Sequence, residues 1–261
     1  MALSSQSSKK IIVRVDGGIG NQLFIYAAGR RLALVNAAEL VLDDVNGFLR
    51  DNIYKRTYQL DHFHVPCRKA GSAERLEPFP RIRARLLKSI NRYVPFEKRT
   101  YIYQEGLDFD PRILGLQVRS ILYLQGYWQS ERYFKDVENI IREDMRVKPP
   151  IDKQNKNMAQ EIASHLAVAV HIRFFDEHKE NGCNNLKNDY YIRAIERMER
   201  MLNRAHYYIF SDNPSAARSL DRLSPDRTTV VCHNLGDEFA YADLWLMSLC
   251  RHFIIANSTF S

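Results

Sequence analysis

The residues with the clearest chemical potential lie at the end of an apolar segment in the second half of the chain. Residues 166–172 are apolar apart from His171, and the segment stops at Arg173. This pattern is typical of a central parallel strand buried on both faces. Because side chains alternate along a strand, His171 and Arg173 point to one side, at the carboxyl end where open α/β sheets bind ligands.

Arg173 is the candidate phosphate-binding residue of this segment. Its guanidinium keeps its charge, and its planar shape matches two phosphate oxygens at once, which favours a nucleotide diphosphate as ligand. The structural alternative is a simple ion pair between Arg173 and Asp176 at the end of the strand.

Polar residues also end two other strands of this half. Residues 207–210 lead to Ser211 and Asp212, and residues 253–255 lead to the triplet 257–259, which is Asn257, Ser258 and Thr259. The carboxyl ends of parallel strands meet at one edge of a sheet, so we expect these side chains to converge with His171 and Arg173.

A glycine-rich turn is the candidate site of the first half. Three glycines within residues 17–20 follow a β-branched strand at residues 11–15 and precede a helical run at residues 23–36. Such a turn lets the backbone approach a ligand, and the amides of the following helix then face that ligand. Leu23 replaces the third glycine of a dinucleotide loop, and the Gly-Lys-Ser/Thr of a P-loop is absent. The alternative is a tight turn that only reverses the chain.

Two further motifs leave alternatives open. Asp108 and Asp110 have a spacing that can hold a divalent cation, but no acidic cluster surrounds them, and we expect no metal site. Residues 126–130 can stack aromatic rings on a sugar. The alternative for this segment is core packing, with Ser130 as a helix cap.

The order of predicted elements indicates two α/β domains. Strands and helices alternate through the 261 residues, and the segment Lys148-Pro149-Pro150 interrupts them. We therefore predict domains at residues 1–150 and 151–261. The chain has no apolar run of about 18 residues, no secretory h-region at its start and only scattered cysteines, so we expect a cytoplasmic protein without a disulfide framework.

The net charge of +7 favours anionic partners in general. The charge is spread through the chain rather than gathered in a binding module, so we expect no nucleic-acid partner. Residues 76–94 form a basic segment with Ile82, Leu86, Ile90 and Tyr93 at helical spacing. We expect this apolar stripe to pack on its own domain. The alternative is a peripheral contact with an anionic membrane, such as the inner membrane.

Several segments, in order along nearly the whole chain, resemble the bacterial α-1,2-fucosyltransferases of glycosyltransferase family 11. They are residues 17–24 (GGIGNQLF), 126–129 (GYWQ) with 132–134 (RYF), 189–191 (DYY), 210–212 (FSD), 243–248 (DLWLMS) and 254–261 (IIANSTFS).

The resemblance implies a GT-B architecture, in which two Rossmann-like domains face a cleft. Residues 1–150 are then the acceptor-side domain, and residues 151–261 bind GDP-fucose. The implied activity is inverting transfer of L-fucose from GDP-fucose to the 2-hydroxyl of a galactose-terminated glycan, with no cofactor and no required metal. The rival interpretations are a related GT-B transferase with another acceptor or nucleotide sugar, and a degenerate, non-catalytic binder of GDP-sugars.

The resemblance also implies roles for individual residues. Arg173 holds the β-phosphate and is catalytic, His171 contacts the nucleotide, and Ser211 or Asp212 lies near the guanine. The remaining residues expected to bind the nucleotide sugar are Gly18, Gly20, Asn21, Gln22, Asn257, Ser258 and Thr259.

The chain departs from the family pattern H-x-R-R-x-D at its second arginine, which is Phe174 here. Arg14 and Lys187 are candidate replacements for that cation. Asp176 closes the motif and is the candidate general base, with Glu177 behind it.

Relatives continue past the position at which this sequence ends, at Ser261. We therefore expect the native chain to be longer and the carboxyl-terminal domain to be truncated in this sequence.

Overall fold

A parallel β-sheet lies at the centre of each half of the chain in the computed structural model, which describes residues 9–174, 186–217 and 224–261. The chain divides into two units, Met1–Arg146 and Val147–Ser261. The acceptor-side and donor-side roles of the two units stay predictions.

The sheet of the first unit has five strands in the described residues. They are β1 (Lys10–Arg14), β2 (Glu39–Asp43), β3 (Arg68–Lys69), β4 (Tyr101–Tyr103) and β5 (Ile121–Gln125). The strand order is β3-β2-β1-β5-β4, with β1 at the centre, and every neighbouring pair is parallel. Because β1 pairs with both β2 and β5, the loops that follow β1 and β5 lie side by side.

Three α-helices belong to the described part of this unit, namely α1 (Ile19–Asn36), α2 (Pro80–Asn91) and α3 (Glu138–Asp144). Helix α1 begins earlier than the predicted residue 23, because Gly17 turns the chain at φ +76° and Gly18 occupies the N-cap position. Gly20 therefore lies in the first helical turn rather than in a loop.

The prediction that the apolar stripe of α2 packs on its own domain was wrong. The helix docks instead through Ala84 and Leu87, which pack against buried residues of the first sheet. At 100° per residue these two positions lie on a different face from the stripe. The stripe residues are exposed, and they are Ile82, Leu86, Ile90 and Tyr93.

The sheet of the second unit has four strands in the described residues. They are β6 (Ala167–Ile172), β7 (His206–Ser211), β8 (Thr228–Val231) and β9 (His252–Ile254). The strand order is β8-β7-β6-β9, so β6 lies between β7 and β9. All pairs are parallel, and β6 is buried along its whole length, as its apolar sequence predicted.

Helices flank this sheet on two faces. They are α4 (Lys153–Ser164), α5 (Asn188–Met201), α6 (Pro214–Ala217) and α7 (Ala240–Ser248). One apolar cluster joins Val168 and Val170 of β6 to Tyr191 and Ile195 of α5, and another joins Ala167 and Ala169 to residues of α4 and α7. In the described ranges, no helix combines the length and the apolar character that crossing a bilayer requires.

Gly29 permits close contact between α1 and the first sheet, and the substitution Gly29→Ala tests it. A Cβ atom there would lie 2.5 Å from Cγ1 of the buried, stiff Val13 and 3.2 Å from Cδ1 of Leu40. Because the β-branched Val13 cannot turn away, overpacking should cost about 2–3 kcal/mol, the upper part of its usual range, and the better helix propensity of alanine offsets roughly 1 kcal/mol. We expect a net loss of about 1–2 kcal/mol in urea unfolding followed by circular dichroism.

The matched control is Gly115→Ala, because no described atom lies within 4 Å of a Cβ at that position. Its free energy of unfolding should stay within about 0.5 kcal/mol of the wild type. A Gly29→Ala protein as stable as the wild type would contradict the close packing.

Candidate functional site

Arg173 and Asp212 form the centre of the candidate site, at the carboxyl ends of β6 and β7. Nη1 of Arg173 lies 2.8 Å from Oδ2 of Asp212, and the two side chains are 24% and 29% exposed. The backbone N–H of Phe174 donates to Oδ1 of the same carboxylate at 3.0 Å. Asp212 therefore joins two neighbouring strand ends and fixes the guanidinium, while part of that guanidinium still reaches solvent.

The structure pairs Arg173 with Asp212, whereas the sequence alternative paired it with Asp176 and stays untested. Asp176 and Glu177, the candidate bases, lie outside the described residues. Phe174 packs against the apolar cluster that β6 shares with α5. The position at which the pattern H-x-R-R-x-D has its second arginine is thus a half-buried packing position in this protein.

His171 is buried beneath this strand end. Its ring is 5% exposed, and its centroid lies 4.9 Å from that of Phe260. Burial, aided by the charge of Arg173, lowers the pKa of His171 to about 4, so the ring is neutral near pH 7. Its Nδ1 is buried without a hydrogen-bond partner among the described residues. An unsatisfied buried nitrogen is costly, which makes Nδ1 a candidate contact for a polar ligand atom.

The turn after β9 lies beside His171. The amide of Phe260 donates to Oγ of Ser258 at 3.3 Å, and this turn brings the Phe260 ring against His171. The side chains of Asn257 and Thr259 on the same turn are exposed. The hydroxyl of Tyr190 donates to the carbonyl of Ile255 at 2.9 Å and so ties α5 to this strand end.

Three polar strand ends are therefore neighbours, as the sequence predicted. Strand β6 lies between β7 and β9, and its register with each is parallel. On β7, Oγ of Ser211 accepts from the amide of Asn213 at 3.1 Å. The meeting of the three strand ends is confirmed, and the binding roles of their side chains stay predictions.

The glycine turn of the first unit lies beside the aromatic segment at residues 126–129. Nε2 of Gln129 donates to Oδ1 of Asn21 at 2.7 Å. A Cβ at Gly17 would lie 3.2 Å from the ring of Tyr127 and 2.6 Å from Nδ2 of Asn21. Two segments far apart in sequence meet here because β1 and β5 are adjacent.

Gln22 supports this turn from within the protein. It is fully buried, and its Nε2 donates to the carbonyls of Gly17 at 3.0 Å and Thr57 at 2.8 Å. Its Oε1 accepts from the amide of Gln59 at 2.8 Å. The side chain has no donor left for a ligand, so we revise its predicted role from nucleotide contact to support of the turn.

Cations also surround the glycine turn. The guanidinium of Arg56 lies 3.8 Å from where a Cβ of Gly18 would stand. The sequence analysis did not predict that Arg56 lies beside the glycine turn, because a loop residue gives no periodic signal. Nε of Arg14 lies 3.4 Å from the Asp16 carboxylate. Burial raises the pKa of Asp16, and Arg14 opposes this effect.

Lys187, the other candidate replacement for the second arginine, belongs to the second unit. It is exposed at the N-cap position of α5.

The Asp108–Asp110 motif and the aromatic segment at residues 126–130 make mainly structural contacts. Asp110 accepts from the Arg112 amide and guanidinium. The part of the chain that the structure covers contains no group of three or more potential metal-ligating side chains. Trp128 is buried edge-on against Tyr133 with ring centroids 5.5 Å apart, and Ser130 caps the short helix that follows. These contacts agree with the core alternative for residues 126–130, although Tyr127 stays 36% exposed.

A partly buried polar network after β8 was not predicted as a site. Oδ1 of Asp243, on α7, accepts from Nδ2 of Asn234 at 2.9 Å. The Asn234 amide also exchanges hydrogen bonds with Asn155, which the N-cap residue Asp152 holds at the start of α4. Burial raises the pKa of the Asp243 carboxyl to about 7.

Comparison with known proteins gives the family. Residues 80–261 match the family model described as Glycosyl transferase family 11. An alpha-1,2-colitosyltransferase of Escherichia coli is 26% identical, and the match covers 96% of this chain and 85% of the relative. The O-antigen biosynthesis glycosyltransferase WbnK of Escherichia coli is 27% identical, with 95% and 86% covered.

Solved structures with the same fold include the fucosyltransferase NodZ from Bradyrhizobium. It superposes with a TM-score of 0.60 at 18% identity, covering 97% of this chain and 90% of NodZ. NodZ alpha-1,6-fucosyltransferase has been co-crystallised with GDP and soaked with GDP-fucose. Together with the two parallel sheets, this likeness confirms the predicted fold class, α/β of the GT-B type.

The raised pKa of the Asp243 carboxyl should make stability depend on pH, and Asp243→Asn should remove that part of the dependence. Its pKa in the folded chain is about 7, above the ordinary value of 3.8. Its contribution to stability is therefore complete below about pH 4 and is lost as pH rises through 7. We expect the variant to match the wild type below about pH 4, to gain on it between pH 4 and 7, and to exceed its free energy of unfolding by about 1–3 kcal/mol at pH 8.

Urea unfolding at several pH values measures the difference in free energy of unfolding between Asp243→Asn and the wild type. The matched control is Asp189→Asn, which changes an exposed carboxyl and should not reproduce that pH dependence. A constant gap between Asp243→Asn and the wild type from pH 4.5 to 8 would contradict the raised pKa.

Proposed function

The chain belongs to glycosyltransferase family 11, and from this premise we propose that it transfers L-fucose from GDP-fucose to the 2-hydroxyl of a terminal galactose in a glycan. The observation that carries the proposal is Arg173, held by Asp212 at the carboxyl end of β6. The proposed reaction inverts the anomeric carbon and requires no metal ion.

The leaving group sets the main chemical demand of this reaction. As the bond between the fucose anomeric carbon and the phosphate oxygen breaks, negative charge grows on the β-phosphate of GDP. A permanently charged guanidinium, oriented before the reaction, stabilises that charge without reorganisation during the step. Asp212 supplies the orientation, because its other oxygen is fixed by the Phe174 amide.

His171 suits a neutral contact with the nucleotide. Its low pKa keeps it uncharged near pH 7, and its buried Nδ1 has no partner among the described residues. We assign it a hydrogen bond to the donor rather than acid catalysis. The adjacent turn keeps its proposed role of contacting the phosphates through Asn257, Ser258 and Thr259. The glycine turn keeps its proposed role of contacting GDP-fucose through Gly18, Gly20 and Asn21.

The acceptor hydroxyl attacks the anomeric carbon from the face opposite the departing GDP. Its proton passes to a general base, for which Asp176 is our candidate. This assignment rests on the resemblance to the family motif.

A second candidate donor is favoured by the similarity to an alpha-1,2-colitosyltransferase over 96% of the chain. Colitose is fucose without its 3-hydroxyl. A site that hydrogen-bonds this hydroxyl rejects the deoxy sugar by about 10⁴–10⁵-fold, whereas an apolar subsite discriminates by only about 10²-fold. The two rival functions are a transferase with a different acceptor and a non-catalytic protein that binds GDP-sugars.

The activity is tested with the purified chain, GDP-fucose and a galactose-terminated disaccharide, in the presence of EDTA. We expect release of GDP and a product whose NMR spectrum shows an α-fucosyl group on the galactose 2-hydroxyl. The matched control acceptor is the 2-deoxygalactose disaccharide, which should not react. Turnover of GDP-colitose but not GDP-fucose would reassign the donor, and binding without turnover would indicate a non-catalytic protein.

Arg173 as the phosphate clamp is tested by GDP binding in a calorimeter. Arg173→Ala should weaken binding by about 1.5–3 kcal/mol, the range for a hydrogen bond to a charged group. Arg197→Ala, at an exposed position of α5, is the matched control and should leave GDP affinity unchanged.

Asp212→Asn should lower GDP affinity less than Arg173→Ala, because Asp212 acts through the arginine. In the Arg173→Ala background, Asp212→Asn should cause no further loss. Equal and additive losses would instead assign Asp212 a direct contact with the nucleotide. Unchanged binding by Arg173→Ala would place GDP elsewhere.

A further inference from the structure

Helix α2 carries the most unusual exposed surface of the described chain. Five large apolar side chains lie on α2 and at its two ends, spaced three or four residues apart, each 51–86% exposed. We call this row the α2 stripe, and its members are Phe79, Ile82, Leu86, Ile90 and Tyr93. Scattered exposed apolar residues are ordinary, but a continuous row marks an interaction site.

The charged side chains of α2 and of the three residues after it are all positive. Residues 80–94 contain no aspartate or glutamate and carry Arg81, Arg83, Arg85, Lys88 and Arg92. At 100° per residue, Arg81, Arg85 and Arg92 line one flank of the stripe and Arg83 lies on the other. The apolar row is therefore bordered by cations on both sides.

From this arrangement we propose that the α2 stripe binds the surface of an anionic lipid bilayer. Helices of this kind lie in the membrane interface, with apolar side chains among the acyl chains and cations at the headgroups. Each basic residue close to an anionic membrane adds roughly 1 kcal/mol of attraction.

Other occupants fit the surface less well. A second copy of this chain would bring the same cations against one another, and like charges facing each other across an interface are repelled. A nucleic acid would pair with the arginines but leave the apolar row in water. A lipid surface satisfies both halves of the pattern.

The structure also presents the stripe ready for binding. Ala84 and Leu87 pack against the first sheet, and Nδ2 of Asn91 donates to the Leu87 carbonyl at 2.8 Å. The core therefore holds α2 by a face that differs from the stripe. A helix that is already folded does not pay the ordering cost of a disordered segment on binding.

Sedimentation with lipid vesicles tests the proposal on the full chain. We expect binding to phosphatidylglycerol–phosphatidylcholine vesicles, none to pure phosphatidylcholine, and weakening as salt rises from about 0.05 to 0.5 M. Leu86→Gln with Ile90→Gln should weaken binding at least about tenfold through lost apolar burial. The matched control is Ile151→Gln with Met201→Gln, which are 88% and 67% exposed elsewhere and should have no effect.

The charge requirement is tested separately. The triple variant Arg81→Gln, Arg85→Gln and Arg92→Gln should bind the anionic vesicles about 100-fold more weakly. Its control has the same net charge and carries Arg142→Gln, Arg197→Gln and Arg200→Gln at exposed positions elsewhere. Circular dichroism and GDP calorimetry on every variant check that the fold and the donor site are intact.

A fluorescent side chain on the stripe tests membrane contact without removing the apolar and basic residues that the proposal requires. Tyr93→Trp places an indole on the stripe, and its emission should shift to the blue with anionic vesicles only. The signal of the two native tryptophans is subtracted with the wild type.

Three outcomes would overturn the proposal: no binding to anionic vesicles, equal losses in the test and control variants, or no shift from the Tyr93→Trp probe. A dimer seen by light scattering that Leu86→Gln with Ile90→Gln dissolves, without vesicle binding, would assign the stripe to a second copy.

Discussion

The Asp212 carboxylate is the interaction on which the candidate donor site depends. One oxygen holds the Arg173 guanidinium and the other holds the Phe174 amide, so a single side chain on β7 fixes both the end of β6 and the cation that it presents. The pair is only partly buried, which limits the desolvation cost of bringing the charges together. The same exposure leaves the guanidinium able to meet a ligand. The Asp212 carboxylate thus both joins two strand ends and orients the cation that would meet a phosphate.

The sequence predicted the framework of this site because strand burial and strand order follow simple patterns. The apolar run before Arg173 indicated a strand covered on both faces, and β6 is such a strand. Alternating strands and helices predicted parallel sheets, and parallel sheets bring polar strand ends to one edge. Segments that are distant in sequence, such as the glycine turn and Gln129, meet for the same reason.

Side-chain direction was harder to predict than the elements themselves. Gln22 looked available because it follows a glycine turn, yet the earlier start of α1 turns it inward, where loop backbone groups occupy its amide. The apolar stripe of α2 looked like a core-facing surface, yet the helix contacts the sheet through the smaller Ala84 and through Leu87, three residues later. Hydrophobic spacing identifies a helix face but does not say which neighbour will cover it. Loop residues such as Arg56 give no periodic signal at all.

The packing of Phe174 has a consequence for where further positive charge can enter the site. The side chain contributes to the apolar cluster between β6 and α5, so the position serves the fold. An arginine there would lose those contacts and would have to turn its charge out of the cluster, because an unpaired buried charge is costly. A further cation for a phosphate ligand is therefore more easily supplied by another element than by position 174.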